Sequence, residues 1–448
     1  SEQVEEPMTK FRFLAPFAIL SLVLTACPAG DGGGASPGGA SPGGGGATGD
    51  GSITVTSLWG GAEEEAFTAV LTAFTEETGI EATYEANRTD YATVLRTRIQ
   101  GGNPPDVAII PGIGFLRSFA RGGSIIPLED LGITRDEIEG NYPPGLLDVG
   151  VVDGVLYAPM VKLNSKATIW YDPSRFSDLG VEPTDTWEGL VTLSEDIAGG
   201  GATPWSVAGG DGWTLTDWFE ATYLKDHGVD AYKTLFSPDG DWTGEDVKAS
   251  ITRLFDELLT EDNVDGGTDG ALATAFVDGI AKVFSTGASA EMYCCGAFVG
   301  GIAASADVNP DLTYGTDIDW FAFPTIEGGA GGIGDISYGG DVMAALVNDS
   351  DVAAFMEYLT STTSGQVWAE GGTIVSPLKA VDVSVYPESV QKEAEQIYGA
   401  TALVFDGSDL LPAGPDLGAL LQSAFRGEDI GPLLDDFQAA VTTAWEEE

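Results

Sequence analysis

Ile53-Thr54-Val55-Thr56-Ser57 opens the stretch that decides the fold, and Val107-Ala108-Ile109-Ile110 closes it. Between the two, the spacing of apolar residues changes repeatedly. Phe67, Val70, Leu71 and Phe74 recur at helical spacing over Glu63 to Thr78, and Gly79 ends the turn. Glu63, Glu64 and Glu65 suit the positive end of that helix. Ile80 to Tyr84 resumes a strand. Tyr91, Leu95 and Ile99 then mark one face of a second helix over Tyr91 to Gln100, stopped by Gly101-Gly102. Val107 to Ile110 is apolar without interruption, as a strand covered on both faces is. Strands and helices alternating in this way wind a parallel sheet, so the fold class is α/β.

Upstream of this sheet the composition shifts. Pro28 to Gly51 is Gly, Pro, Ser and Ala with almost nothing to bury, so a slack tether is expected over 27–51. Before it, Lys10 and Arg12 lead into the apolar run Phe13 to Leu24, which reads as an export signal within 1–26. Met8 is read as the start and residues 1–7 as upstream sequence. The run is shorter than the roughly 20 residues that cross a bilayer, so removal is expected rather than retention. Leu24-Thr25-Ala26-Cys27 resembles the lipobox of bacterial lipoproteins. That resemblance implies acylation of Cys27 as the first mature residue and a folded body tethered to a membrane, with more than one acyl chain for a stable anchor.

Downstream, about 400 residues follow the tether, more than one ordinary core holds, and two lobes are expected. Helices are expected from Thr186, over Gly244 to Leu259, Ala271 to Ile280, Val352 to Thr360 and Leu433 to Ala444, with a strand over Val342 to Val347. The formal charge is −51, and removing 1–26, with two bases and three acids, leaves −50. Such a surface repels nucleic-acid phosphates and anionic headgroups, which excludes nucleic acid as a partner. Salt adaptation or a general acidic bias explains it without reference to a ligand. Apart from Cys27, the cysteines are the adjacent Cys294 and Cys295, so no loop-closing disulfide is available. The pair either forms a ring between neighbours or stays as two thiols. One histidine and no metal-ligand spacing give no support for a zinc site, and neither metal nor cofactor is expected.

Catalytic signatures are missing. Gly-x-Ser-x-Gly occurs only in the tether, no P-loop is present, and Gly329, Gly331 and Gly334 are followed by strand-like residues where a phosphate-binding helix should begin. Among 70 acids nothing selects one pair as a glycosidase dyad. The aromatic supply stands out instead: Trp59, Trp205, Trp213, Trp218, Trp320 and Trp368 sit beside glycines, prolines, acids or loop edges. Flat rings stack on the C–H faces of sugars while carboxylates and amides bind the hydroxyls, so such loops suit a carbohydrate. Each Trp taken singly also fits a core position.

The chain resembles the extracellular solute-binding proteins of carbohydrate ABC importers over nearly everything after the tether. The segments that carry the resemblance are Leu58-Trp59-Gly60-Gly61, Ile99 to Val107 with its Gly-Gly-Asn-Pro-Pro-Asp, Gly122 to Leu128, Asp153 to Pro159, Ile169-Trp170-Tyr171-Asp172, Thr186 to Leu190, Phe284 to Phe298, Phe323-Pro324, Gly339-Gly340-Asp341, and Gly371-Gly372 with Ser376-Pro377. Trp213 to Glu220 is most similar to the α-glucoside-type branch.

This resemblance implies a two-lobed periplasmic-binding-protein-like fold with a hinge and a sugar cleft. Crossings are expected near Ala158 to Lys162, Trp320 to Pro324 and Thr360 to Gly365. The N-terminal lobe would hold 52–160 with 322–360, and the C-terminal lobe 161–321 with 361–448. Cleft residues carried over are Trp59, Glu63, Asn87, Arg88 and Gly112 from the first lobe, Asp211, Trp213, Asp217 and Phe298 from the second, and Tyr338 and Asp341 beside the glycine pair. Phe298 stands where relatives often have Trp, which keeps stacking but leaves the sugar unnamed. The function so implied is a non-enzymatic, monomeric receptor, held outside the cytoplasm by its lipid anchor, that delivers a sugar to ABC permease subunits. The alternatives are an exported glycosidase and an importer receptor for a non-sugar solute such as a polyamine or a metal ion.

Overall fold

The computed structural model describes residues 47–87, 91–110, 112–412 and 414–447. The export signal, Cys27, the tether as far as residue 46, and Arg88 lie outside the described residues. The expected alternation is present as β1 (Ser52–Ser57), α1 (Ala62–Thr78), β2 (Glu81–Ala86), α2 (Tyr91–Gln100), β3 (Val107–Ile110) and α3 (Ile113–Arg121). β1 runs parallel to both β2 and β3. The tether's last residues depart from expectation, because they are docked. Ala47 N donates to Asn348 O at 3.2 Å, and Gly51 N to Asp351 Oδ2 at 2.7 Å.

Two strands tie the molecule together, a crossing strand, Met160–Ser165, and a long return strand, Asp335–Ala345. They pair antiparallel, with Asp341 opposite Lys162 and Gly339 opposite Asn164. The first sheet runs Ala402–Phe405, return strand, β3, β1, β2, with the crossing strand on the return strand. The second runs Asp319–Ala322, Thr168–Tyr171, Met292–Cys295, Trp205–Ser206. Cys294 and Cys295 are joined as a disulfide and buried there.

Each sheet has its own core. Phe67, Val70, Leu71 and Phe74 of α1 pack with all of β3 and with Val342 to Ala345 of the return strand. Trp187, Trp205, Trp218 and Trp242 fill the second core, and Trp170, Tyr293 and Trp320 form a satellite beside it. The crossing strand leaves the first core at Leu163, and the chain has entered the second by Ala167.

The other two passages differ from the sequence expectation. Trp320, Phe323 and Ile326 remain with the second half, so the return is not at Trp320 to Pro324 but between Ile336 and Tyr338. Trp368, Val375, Tyr386 and Ile397 pack in the first core, so the chain does not leave it near Thr360 to Gly365 but along the strand Ala402–Phe405, where Val404 faces the second core and Phe405 still packs in the first. Accordingly 361–397, expected in the C-terminal lobe, packs with the N-terminal one. The physical reason is pairing: the return strand is hydrogen-bonded along its whole length and carries the chain across in one extended piece.

A further difference lies next to the site. The helix expected over Ala271 to Ile280 is two helices, Gly267–Ala273 and Phe276–Phe284. The loop before Trp213 takes up the backbone groups at the break: Asp211 Oδ2 accepts from Phe276 N at 2.6 Å, and Gly210 N donates to Thr274 O at 3.0 Å. This leaves Phe276 at a helix start facing Trp213, with ring centroids 4.8 Å apart.

Candidate ligand-binding site

Two lysines organise the junction of the lobes, Lys162 on the crossing strand and Lys166 one residue past its end. Lys162 Nζ donates to Glu63 Oε1 in the first turn of α1 and lies 3.7 Å from Asp341 Oδ2. Trp59 Nε1 donates to the same Asp341 oxygen at 3.1 Å. The Trp59 ring is edge-on to Phe67 and Trp368, at 5.0 and 5.1 Å, and only 2% of the residue is exposed. Trp59 is thus a core residue that presents its N–H to the site, with no open face for stacking.

Lys166 Nζ lies 2.8 Å from Asp217 Oδ1 and 3.3 Å from Asp406 Oδ2. It also sits 5.3 Å from the ring centroid of Trp213 and 5.4 Å from that of Phe298, within the range of cation–π attraction. Phe276 completes an aromatic triangle with these two rings. Trp213 is 38% exposed, unusual for a ring so large. Its open surface, unlike that of Trp59, is available to a ligand.

The glycine pair of the return strand lies between these two groups. A Cβ at Gly340 would fall 2.2 Å from the Lys162 carbonyl oxygen, and one at Gly339 would fall 2.9 Å from Lys166 Cε. Only glycine lets the two strands and the lysine stem approach this closely.

Burial alone would pull the Lys162 ammonium down, but Asp341 and Glu63 outweigh it and raise the pKa. Lys166 behaves likewise, with Asp217 and Asp406 as the opposing charges. Burial, partly offset by Lys162, raises Asp341. Asp217 is pushed up to about 6 by burial, with Asp406 adding and Lys166 opposing. Burial also favours the neutral form of Asp406, yet Lys166 and the Ser408 hydroxyl overcome it and lower its pKa.

The structure therefore brings together Glu63, Trp59 and Asp341 around Lys162, and Trp213, Asp217 and Phe298 around Lys166. The remaining expected residues sit otherwise. Tyr338 is buried edge-on to Phe405. Asp211 holds the break before Phe276. Asn87 follows β2, donates its N–H to Ser57 O at 2.8 Å, and lines a 270 Å³ cavity with Tyr91 and Arg98. Gly112, with φ 109°, immediately precedes α3 as its N-cap. Lys162, Lys166, Phe276 and Asp406 were not anticipated. With 19 bases against 70 acids, two lysines four residues apart were a usable signal. Among the described residues no group of three or more His, Cys, Asp or Glu side chains is placed to hold a metal ion.

Two α/β lobes joined by shared strands, with charged and aromatic side chains gathered where those strands cross, define a binding receptor of the two-lobed solute-binding class. The chain belongs to the bacterial extracellular solute-binding protein family, whose profile matches residues 60–366. It is 31% identical over 371 residues to the osmoprotective compounds-binding protein GgtB of Synechocystis sp., covering 82% of this chain and 86% of that one. It is 30% identical over 410 residues to the alpha-glucosides-binding periplasmic protein AglE of Rhizobium meliloti, covering 88% and 87%. Among solved structures, the solute-binding protein RafE in complex with raffinose matches with TM-score 0.67 at 17% identity, over 88% of this chain and 99% of that one. At that identity the structural likeness carries the fold alone.

Proposed function

We propose that the protein captures a neutral carbohydrate between its lobes, without turning it over, and delivers it to an ABC-type importer. The lobes would be 52–163 with 338–397, and 167–336 with 404–447. Closure over the sugar is a population shift driven by better contacts in the closed state. Cys27 is the proposed lipid anchor, holding a monomeric receptor outside the cytoplasm.

The observation that carries this reading is charge pairing beside an open aromatic face. Glu63 and Asp341 share Lys162, and Asp217 and Asp406 share Lys166, so each of these carboxylates already has an ammonium partner; acids outnumber lysines two to one in both groups, which is why amines stand beside the sugars in the test below. Paired carboxylates still accept hydroxyl hydrogen bonds, and the exposed Trp213 face suits sugar C–H groups. Membership of the family, and the α-glucoside named for AglE, support a saccharide of that kind. Asn87, Arg88 and Gly112 are proposed as the first lobe's further contacts.

A thermal-shift panel of maltose, trehalose, sucrose, raffinose and methyl α-glucoside beside putrescine and spermidine tests this. A saccharide at 100 times its Kd stabilises by about 2.7 kcal/mol. At least one saccharide is expected to shift the melting temperature and to be recovered uncleaved. A shift with the amines and with no saccharide would overturn the reading, and cleavage of the bound sugar would make the protein an enzyme.

A further inference from the structure

A short helix, Gly407–Leu410, links the two halves of the molecule directly. Glu220, on the helix Trp213–Leu235, accepts from Gly407 N at 2.7 Å and from Ser408 N at 3.0 Å. On the other side Arg117 of α3 donates to Leu410 O at 2.9 Å. Leu410 packs against both cores. The backbone on either side of Asp409 is therefore held by both lobes.

Asp409 itself is exposed, and among the described residues its carboxyl has no hydrogen-bond or ion-pair partner. The other acids gathered here are engaged: Asp217 and Asp406 by Lys166, and Glu220 by Gly407, Ser408 and the Tyr232 hydroxyl. The Asp409 carboxyl also feels both parts of the site. Its pKa is pushed up to about 8, first because protein crowds around it, then by Asp406, with Asp217 and Asp341 adding and Lys166 opposing. The start of this helix sits beside the group around Lys166: Asp409 N donates to Asp406 Oδ1 at 3.4 Å, and the Ser408 hydroxyl lies 3.3 Å from that of Thr216. Asp341 belongs to the group around Lys162 and Asp217 to the group around Lys166, so the carboxyl lies within the field of both.

We propose that Asp409 is a ligand contact, a hydroxyl-binding carboxyl that the linking helix carries to the junction of the lobes. This rests on the carbohydrate reading above. A carboxyl with no internal partner keeps its full hydrogen-bonding capacity for a ligand, and a partly protonated one both donates and accepts, as a sugar hydroxyl does. Its position also makes the contact specific to the assembled site, because the helix that carries it is fixed from both sides.

Calorimetric titration of the best saccharide of the panel into wild type, Asp409→Ala and Asp409→Asn, with monodeoxy analogues of that sugar alongside, tests the assignment. Asp409→Ala is expected to bind the parent sugar at least tenfold more weakly, and Asp409→Asn, which keeps an acceptor and donors in place, within about threefold of wild type. The ligand-free melting temperatures should be equal to wild type or higher, because a carboxyl repelled by its neighbours has been removed. For one monodeoxy analogue, wild type and Asp409→Ala should bind alike, which a merely structural role would not produce. Unchanged affinity in Asp409→Ala overturns the contact, and equal losses in the alanine and asparagine variants overturn its hydroxyl-binding role. If wild type binds no saccharide, the carbohydrate reading fails and this proposal falls with it.

Discussion

Lys162 and Lys166 lie four residues apart, and each holds two carboxylates, but their surroundings differ. Around Lys162, Trp59 is locked into the first core by Phe67 and Trp368, turns its N–H to Asp341 and lies with its ring centroid 5.6 Å from the Lys162 ammonium, with no surface left open to a ligand. Around Lys166, the carboxylates are the more deeply buried, with Asp217 and Asp406 side chains 3% and 6% exposed against 41% and 24% for Glu63 and Asp341. Trp213 there remains open, with Phe276 and Phe298 half-buried beside it. The first group is a polar seam sealed by a core aromatic, and the second is a buried ionic base beneath an exposed aromatic face. Similar charges at neighbouring positions thus perform different tasks, according to what packs over them.

The largest expected effect separates the two lysines. Breaking a buried ion pair by removing one partner costs about 3–5 kcal/mol, because the other charge is left uncompensated. Lys166→Met should approach that range, since Asp217 and Asp406 have little access to solvent. Lys162→Met should cost clearly less, because water can reach Glu63. Urea unfolding of the two variants measures the gap, and equal losses would erase the distinction between the groups.

Local signals explain what was legible in the sequence. β1, α1, β2, α2 and β3 were readable because each carries its own apolar period. The return strand was expected only from Val342, whereas it begins at Asp335. Asp335-Ile336-Ser337-Tyr338-Gly339-Gly340-Asp341 has a loop's composition, and it is extended because strands distant in sequence pair with it on both sides. Trp59 illustrates the same limit at the site. Its glycine neighbours suggest a loop platform, and its burial depends on Trp368, roughly 300 residues away, a non-local contact that no window of sequence contains. Trp213 and Asp217 were recognisable through their likeness to relatives, but the lysine that unites them was not.

A titration distinguishes the buried base by another route. Asp217 has a folded pKa of about 6 against an ordinary 3.8. Between those values the folded protein keeps a proton that the unfolded chain has lost, so this group's contribution to stability is largest at the acid end and falls as pH rises through about 6. At about 1.4 kcal/mol per unit, the stability of wild type minus that of Asp217→Asn should drop by about 2.4 kcal/mol between pH 4 and pH 7, because the unfolded carboxyl is already partly ionised at pH 4. A difference independent of pH would show Asp217 already ionised at pH 4, with Lys166 outweighing its burial.

The smallest effect concerns the open face and appears in binding rather than folding. Trp213 has more than a third of its surface exposed, so truncating it removes less packing than truncating a fully buried ring would. Its ring contacts include Phe276, Phe298 and the Lys166 ammonium, and the two phenylalanines stay in contact with one another when it is gone. An aromatic anchor at a binding surface typically contributes about 2 kcal/mol or more, a factor of about 30 in affinity. Trp213→Ala should therefore weaken the best saccharide at least about tenfold while leaving the ligand-free melting temperature within a few degrees. If the melting temperature instead falls steeply and affinity is unchanged, Trp213 is a core residue like Trp59, and the contrast between an open and a sealed aromatic at the two lysines does not hold.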